Sequence, residues 1–433
     1  MLPIPASWRR RLRRIRILQP LAERDYALLT GGSLISMLGD GFFYVALAWQ
    51  VYQISNVPTA LSLVGLAWTL PLVLFVVIGG VFSDRYDRRL LMVVADLVRA
   101  LAIGLLGVMS VLGGLELWHV IGLIAFVGLG DAFFNPASTA IVPDLLPEDQ
   151  LASANALQGL IRPLSIRLIG PAIGGFTVAA IGSGAAFLFD AGSFLVSAVA
   201  ILAIAPRSRR EVAEHGFRQT LVEVREGVAF VRATPWIWAT LVSAMLSLLV
   251  FVGPEQALLP FLVKNRLELG ADALGAIFAV GGAGSVLTAI LVGQLGQPRR
   301  RVTAMYLSWT LGVLLIAGFG LMTELWHALL LSAAGASLFE LGQIIWITML
   351  QQLVPRDLLG RVSSLDWLVS IGLTPVSFAL TGPVAGAIGP ESTLILAGTI
   401  GSVLMGALLF APGVRDPERG VIPPVESPAG QLP

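Results

Sequence analysis

The chain has 433 residues, 56% hydrophobic and 13% charged, with a formal net charge of +1. A soluble domain carries about 25% charged residues, so a water-soluble fold is excluded and an integral membrane protein is expected. With no cysteine and three scattered histidines, disulfides, thiol chemistry and zinc sites are excluded. No phosphate-binding loop, metal cluster or nucleophile triad is present, so no enzymatic activity, cofactor, metal or nucleic-acid partner is expected.

In chain order, an Arg-rich tail (1–26) comes first, followed by apolar runs near 27–53, 60–83, 90–113, 118–142, 152–180 and 184–205. After a connection (206–235) a second set lies near 236–264, 272–294, 302–322, 326–353, 361–385 and 391–411. Each run is long enough to cross a hydrocarbon core about 30 Å thick. Lipid offers the backbone no partner, so the runs must be helices. The expected fold is all-α, with 12 transmembrane helices in two six-helix bundles (27–205 and 236–411).

An even number of spans puts both termini on one side, and the arginines identify it. Seven precede the first span, six lie in the 206–235 connection, and the other loops on that side bring the total to twenty-three; the opposite side holds Lys264 and Arg266. Both termini are therefore expected in the cytoplasm. Within 206–235, Phe217, Leu221, Val224, Val228 and Val231 repeat at helical spacing, which predicts an amphipathic helix on the cytoplasmic surface. The Pro- and Gly-rich tail (412–433) is expected to be disordered.

The chain repeats itself. At a shift of 212, residues 142–174 and 354–386 share nine identities in 33 ungapped positions, among them Pro163 with Pro375 and Gly170-Pro171 with Gly382-Pro383. The string ELWH occurs at Glu116–His119 and again at Glu324–His327. Six spans followed by six in the same orientation form a parallel repeat, a way to build an alternating-access transporter.

Between the second and third spans lies GGVFSDRYDRR (79–89). It resembles the signature loop of the major facilitator superfamily: Gly80, Asp84, Arg85, Arg88 and Arg89 match, and Asp87 stands where the family carries glycine. A second copy, GQLGQPRRR, precedes span 9. The resemblance implies that Asp84 latches the cytoplasmic start of span 11, where a helix N-terminus carries partial positive charge. In span 5, Gly170, Pro171, Gly174 and Gly175 are similar to the GPxxGG core of proton-coupled drug exporters. The stretch Gly130–Leu157 resembles the branch holding macrolide-efflux proteins and the enterobactin exporter. The span 4 arginine of drug/proton antiporters has no counterpart; Asp131 occupies that region.

A charge in mid-bilayer costs roughly 2.5–3.5 kcal/mol on insertion scales, so each needs a reason. Asp40, Asp131, Glu255 and Glu340 fall on spans 1, 4, 7 and 10, which line the central cavity in this superfamily. At least one is expected to carry the coupling proton. Arg162 and Arg167 enter span 5 about 140° apart on an α-helix, and one is expected to pair with Asp131. Asp190 in span 6 is a further candidate partner, and Asp96, Arg99 and Asp366 are placed near the cytoplasmic ends as interfacial or gate charges.

The sequence thus reads as a monomeric, proton-coupled exporter of amphipathic small molecules in a bacterial cytoplasmic (inner) membrane. The alternatives are a dedicated siderophore exporter, a lysolipid flippase and a non-transporting sensor.

Overall fold

In a computed structural model, residues 16–205 and 217–420 are described; the side chains of Arg16, Asp84, Ala152, residues 217–224, Arg356 and Asp357 lie outside that description. The N-terminal arginines as far as Arg14, the start of the central connection and the tail beyond Gly420 also lie outside it. Among the described residues every regular element is helical, and twelve helices are long and apolar enough to cross a membrane.

Spans 1 to 4 are Arg24–Ile54, Pro58–Arg85, Arg88–Val111 and Leu117–Leu145. Span 5 is composite, Glu148–Arg162, Pro163–Ile169 and Gly170–Ile181, and span 6 is Ser183–Leu202. A linker helix, Phe217–Ala233, precedes span 7 (Pro235–Asn265), span 8 (Ala271–Leu295), span 9 (Arg301–Phe319) and span 10 (Leu325–Leu353). Span 11 is broken into Arg356–Gly372 and Thr374–Ile388, and span 12 is Pro390–Ala407. The predicted runs differ from these bounds by a few residues at most.

The repeated ELWH string caps spans 4 and 10. The Glu116 and Glu324 carboxylates each accept from a backbone N–H one turn into the helix, while their own N–H groups donate to His119 Nδ1 and His327 Nδ1, both at 3.1 Å. The duplicated motif is thus a duplicated capping box with histidine in the reciprocal position.

Helices in lipid gain little from expelling water, so close packing of small residues holds them together. A Cβ on Gly41 of span 1 would lie 2.6 Å from the Gly170 Cα of span 5, and one on Gly174 would lie 2.6 Å from the Phe42 Cα.

The apolar core shows how the halves are arranged. At the end away from the termini (the far face) a single buried cluster runs through both halves, from Phe42, Phe43 and Ile103 to Phe251, Leu258 and Leu274. At the terminal face the core is split. One cluster, with Tyr26, Met92 and Ile141, belongs to the first half, and another, with Trp236, Tyr306 and Trp346, to the second. The molecule is a wedge, joined at the far face and parted at the terminal face.

Hydrogen bonds from span 1 and the turn that follows it to span 7 close the joined end. Asn56 and Asn265 exchange reciprocal amide bonds of 2.6 and 3.1 Å. Tyr52 Oη donates to Ala257 O at 2.6 Å, and Lys264 Nζ donates to Tyr52 O. Beside them the Phe378 ring of span 11 fills the space above Gly65 of span 2, and Gly175 of span 5 meets Gly275 of span 8. The terminal-face half of span 11 lies instead against span 7 and the linker helix, where Arg361 pairs with Glu226.

The described parts of both tails are packed on the bundles. Arg16–Ala22 forms a 3-10 helix packed on the terminal-face half of span 5, with Ala22 buried. After residue 412, Val414 is fully buried, and Glu418 accepts from Thr303 N at 2.6 Å and from Thr303 Oγ1 at 2.9 Å. The expectation of disorder from 412 is therefore corrected as far as Gly420: the carboxylate supplies the cap that span 9, with Arg300 at its N-cap, does not supply for itself.

Candidate functional site

Span 5 brings the repeat's proline to mid-membrane depth. Pro163 has no N–H to continue the α-helical ladder, and Pro163–Ile169 is a π-helix, in which the Gly170 N–H donates to Ser165 O five residues back. Such turns gather at functional sites. In an i→i+5 register, residues five apart lie one above the other, so the expected 140° divergence of Arg162 and Arg167 is corrected. Both are exposed, although they sit in the middle of a span.

Arg167 reaches across the cleft. Its Nη1 is 3.9 Å from Glu340 Oε2 on span 10, with Arg167 58% and Glu340 19% exposed, and Glu255 of span 7 is also within its electrostatic reach. Arg162 lies within reach of Asp40. Neither arginine pairs with Asp131.

The partner of Asp131 comes from span 3. Arg99 Nη1 donates to Asp131 Oδ1 at 2.9 Å, Arg99 Nη2 donates to Asp96 Oδ1, and Trp68 Nε1 donates to Asp131 Oδ2 at 2.9 Å. The guanidinium is held between Phe134 and Phe194, 4.2 and 4.3 Å from their ring centroids. Arg99 is 4% exposed and Asp96 0%, so their placement as interfacial or gate charges is corrected. The cation absent from span 4 is delivered by span 3. Asp366 is half-buried on the terminal-face half of span 11.

A family model described as transmembrane secretion effector matches residues 15–420. The chain belongs to that family of major facilitator transporters. It is 28% identical over 410 residues to the multidrug efflux pump Tap of Mycolicibacterium fortuitum, covering 92% of this chain and 97% of that one. It is 28% identical over 390 residues to the enterobactin exporter EntS of Shigella boydii, covering 87% and 88%. A crystal structure of a point mutant of the nucleoside transporter NupG superposes with a TM-score of 0.65 at 11% identity, over 88% of this chain and all of that one.

In this major facilitator transporter the signature loop is built into its own half. Asp87 is the N-cap of span 3, accepting from Arg89 N at 2.9 Å, which gives a reason for aspartate where the family pattern has glycine. Arg88 Nη1 donates to Ala140 O at 2.9 Å and to Asp144 Oδ2 at 2.6 Å, and Arg89 donates to Ile204 O. The two arginines thus pin the ends of spans 4 and 6, and Asp144, not singled out from sequence, pairs with Arg88. Arg85 is exposed and Gly80 has open space around it; the Asp84 side chain lies outside the description.

The span 5 motif divides its work. Gly170, Pro171 and Gly174 face span 1, whereas Gly175 and the Pro171 carbonyl meet Gly275 of span 8 in the other half. Pro171 cannot donate to the Arg167 carbonyl, and Gly282 of span 8 brings its backbone against that carbonyl. Among the aromatics, Phe43 and Trp346 belong to the core, while Tyr44, stacked on Trp68 at 5.3 Å, and Trp367 are each 40% exposed.

Proposed function

We propose that this transporter exports amphipathic small molecules by alternating access, driven by protons. The observation that carries the reading is the cleft. Arg167 of one half stands exposed opposite Glu340 and within reach of Glu255 in the other, and Asp40 and Asp131 are half-buried on spans 1 and 4 of the first half. Carboxyls that alternate between cleft water and closed protein can load and release a proton once per cycle. A cleft carrying carboxyls from both halves suits cationic or neutral amphiphiles, and Tap supports a multidrug range.

On this reading the terminal face is cytoplasmic, in a bacterial inner membrane, because the arginines concentrate there. The wedge is then open to the cytoplasm, the two bundles are the units that rock, and the Tyr52, Asn56, Lys264 and Asn265 seal closes the outside. Gly80, Asp84, Arg85, Arg88 and Arg89 form the cytoplasmic gate that engages span 11 on closure.

The test is uptake of a fluorescent lipophilic cation by everted membrane vesicles carrying a proton gradient, with and without a protonophore. Uptake abolished by the protonophore and by Asp84→Asn supports the reading; uptake indifferent to the protonophore overturns it. A second reading, export of an anionic siderophore, is favoured by the two exposed arginines and the likeness to EntS. Anionic-cargo export lost in both Arg162→Gln and Arg167→Gln, with no transport of the lipophilic cation, would establish it.

A further inference from the structure

Behind Asp40 and Asp131, spans 1, 3 and 6 enclose a second set of polar side chains that the cleft does not reach. Asp190 of span 6 is fully buried. Its Oδ1 accepts from Ser193 Oγ at 3.2 Å and lies against the backbone of Gly39, one residue before Asp40. Its Oδ2 has no hydrogen-bond partner. The charged groups within electrostatic reach of it are Asp40 from span 1, Arg99 from span 3 and Asp131 from span 4. Arg99 is the one buried cation among them, and its guanidinium is already shared between Asp96 and Asp131.

An ionised Asp190 would be a buried charge with neither counterion nor donor at one oxygen, which is far costlier than a buried neutral acid. Resting on the proton-coupled reading above, we propose that Asp190 is a second proton-carrying residue, held as a neutral acid in the arrangement open at the terminal face and exchanging its proton with Asp40. In the handover the O–H bond at Asp190 breaks as one forms at the Asp40 carboxylate, so one proton moves toward the cleft and one negative charge moves inward. Arg99 stays ionised throughout. Its complete burial makes Asp190 a store from which Asp40 is reloaded after cargo has displaced its proton.

The experiment uses the full-length protein, in detergent and in liposomes, as wild type, Asp40→Asn and Asp190→Asn. In detergent without cargo, infrared spectroscopy at neutral pH reads the C=O stretch of protonated carboxylic acids. A band lost in Asp190→Asn, with thermal melting unchanged, is expected, because the amide mimics the neutral acid. A spectrum identical to wild type overturns the proposal, since the native group is then ionised, and so does a wild-type spectrum with no protonated-carboxyl band, a reading that needs no variant to fold.

In liposomes, gradient-driven uptake of the lipophilic cation is compared with cation counterflow at equal pH. Asp190→Asn should lose at least about tenfold of the former and keep the latter within about twofold, because only net transport needs the proton. Equal gradient-driven uptake by Asp190→Asn and wild type overturns the handover. Wild-type uptake indifferent to the gradient overturns the coupled reading itself, and there the infrared band still reports on Asp190 separately.

Discussion

On the alternating-access reading the far-face seal is the contact that must break for the cleft to change sides, and its strength can be worked from its hydrogen bonds. Asn56→Ala deletes both reciprocal amide bonds to Asn265. The pair is exposed, so each bond is taken at about 0.5 kcal/mol, the low end of the net range. The population parted at the far face should therefore rise by about 1 kcal/mol, or roughly fivefold. Tyr52→Phe removes the buried Tyr52 bond to Ala257 O, about 1 kcal/mol and again roughly fivefold. The double variant should approach the product of the two, because the sites share no side-chain partner. The chain has no cysteine, so a single Ser62→Cys gives a clean reporter: Ser62 is 3% exposed in the seam between spans 2 and 11, beside Gly382. Its maleimide alkylation rate in purified protein follows the parted population. Rates within twofold of the unmutated seal in both variants would refute the view that these bonds hold the far face shut.

Four other outcomes follow from the geometry. Arg99→Met strands Asp96 and Asp131 in the core and should destabilise the fold by about 3–5 kcal/mol, read as loss of monodisperse protein on heating; Arg99→Lys should not rescue it, because a lysine neither forks between two carboxylates nor stacks between two rings. Gly275→Leu drives a side chain into the Gly175 backbone and should insert normally yet lose more than about tenfold of transport, with Ser62→Cys alkylation raised. Glu418→Ala uncaps span 9 and should lower stability by about 1–2 kcal/mol in thermal melts, with transport unchanged. Glu340→Gln removes a 3.9 Å pair whose arginine is exposed; it should cost less than about 1 kcal/mol of stability and still abolish gradient-driven uptake.

Hydropathy made the twelve spans legible because lipid forces every run to satisfy its own backbone. The repeat was legible as well, down to Pro163 and Pro375, which interrupt spans 5 and 11 alike. Partnerships were not, because one sequence gives a residue's depth but not the face it presents. Arg99 was nonetheless within reach: at 1.5 Å per residue it lies about 16 Å along the helix that begins at Arg88, which is mid-bilayer rather than its edge. The relation of Arg162 to Arg167 was misjudged by assuming an α-helix where prolines at 163 and 171 interrupt the ladder. Asp144 was not singled out, since nothing nearby in the chain shows that Arg88 reaches it.

Spans 5 and 11 are interrupted at equivalent positions, and only their far-face halves, with the π-helical turn of span 5, pack on spans 8 and 2 of the opposite bundle. Two slots therefore run from the terminal face to mid-membrane depth. Beside the first, Leu287, Ile290, Leu291 and Leu295 of span 8 are exposed. If the cargo is amphipathic, as proposed, a greasy molecule dissolved in the adjoining leaflet would meet the cleft sideways, from the lipid itself. Its supply is then set by how strongly it partitions into the membrane rather than by its solubility in water.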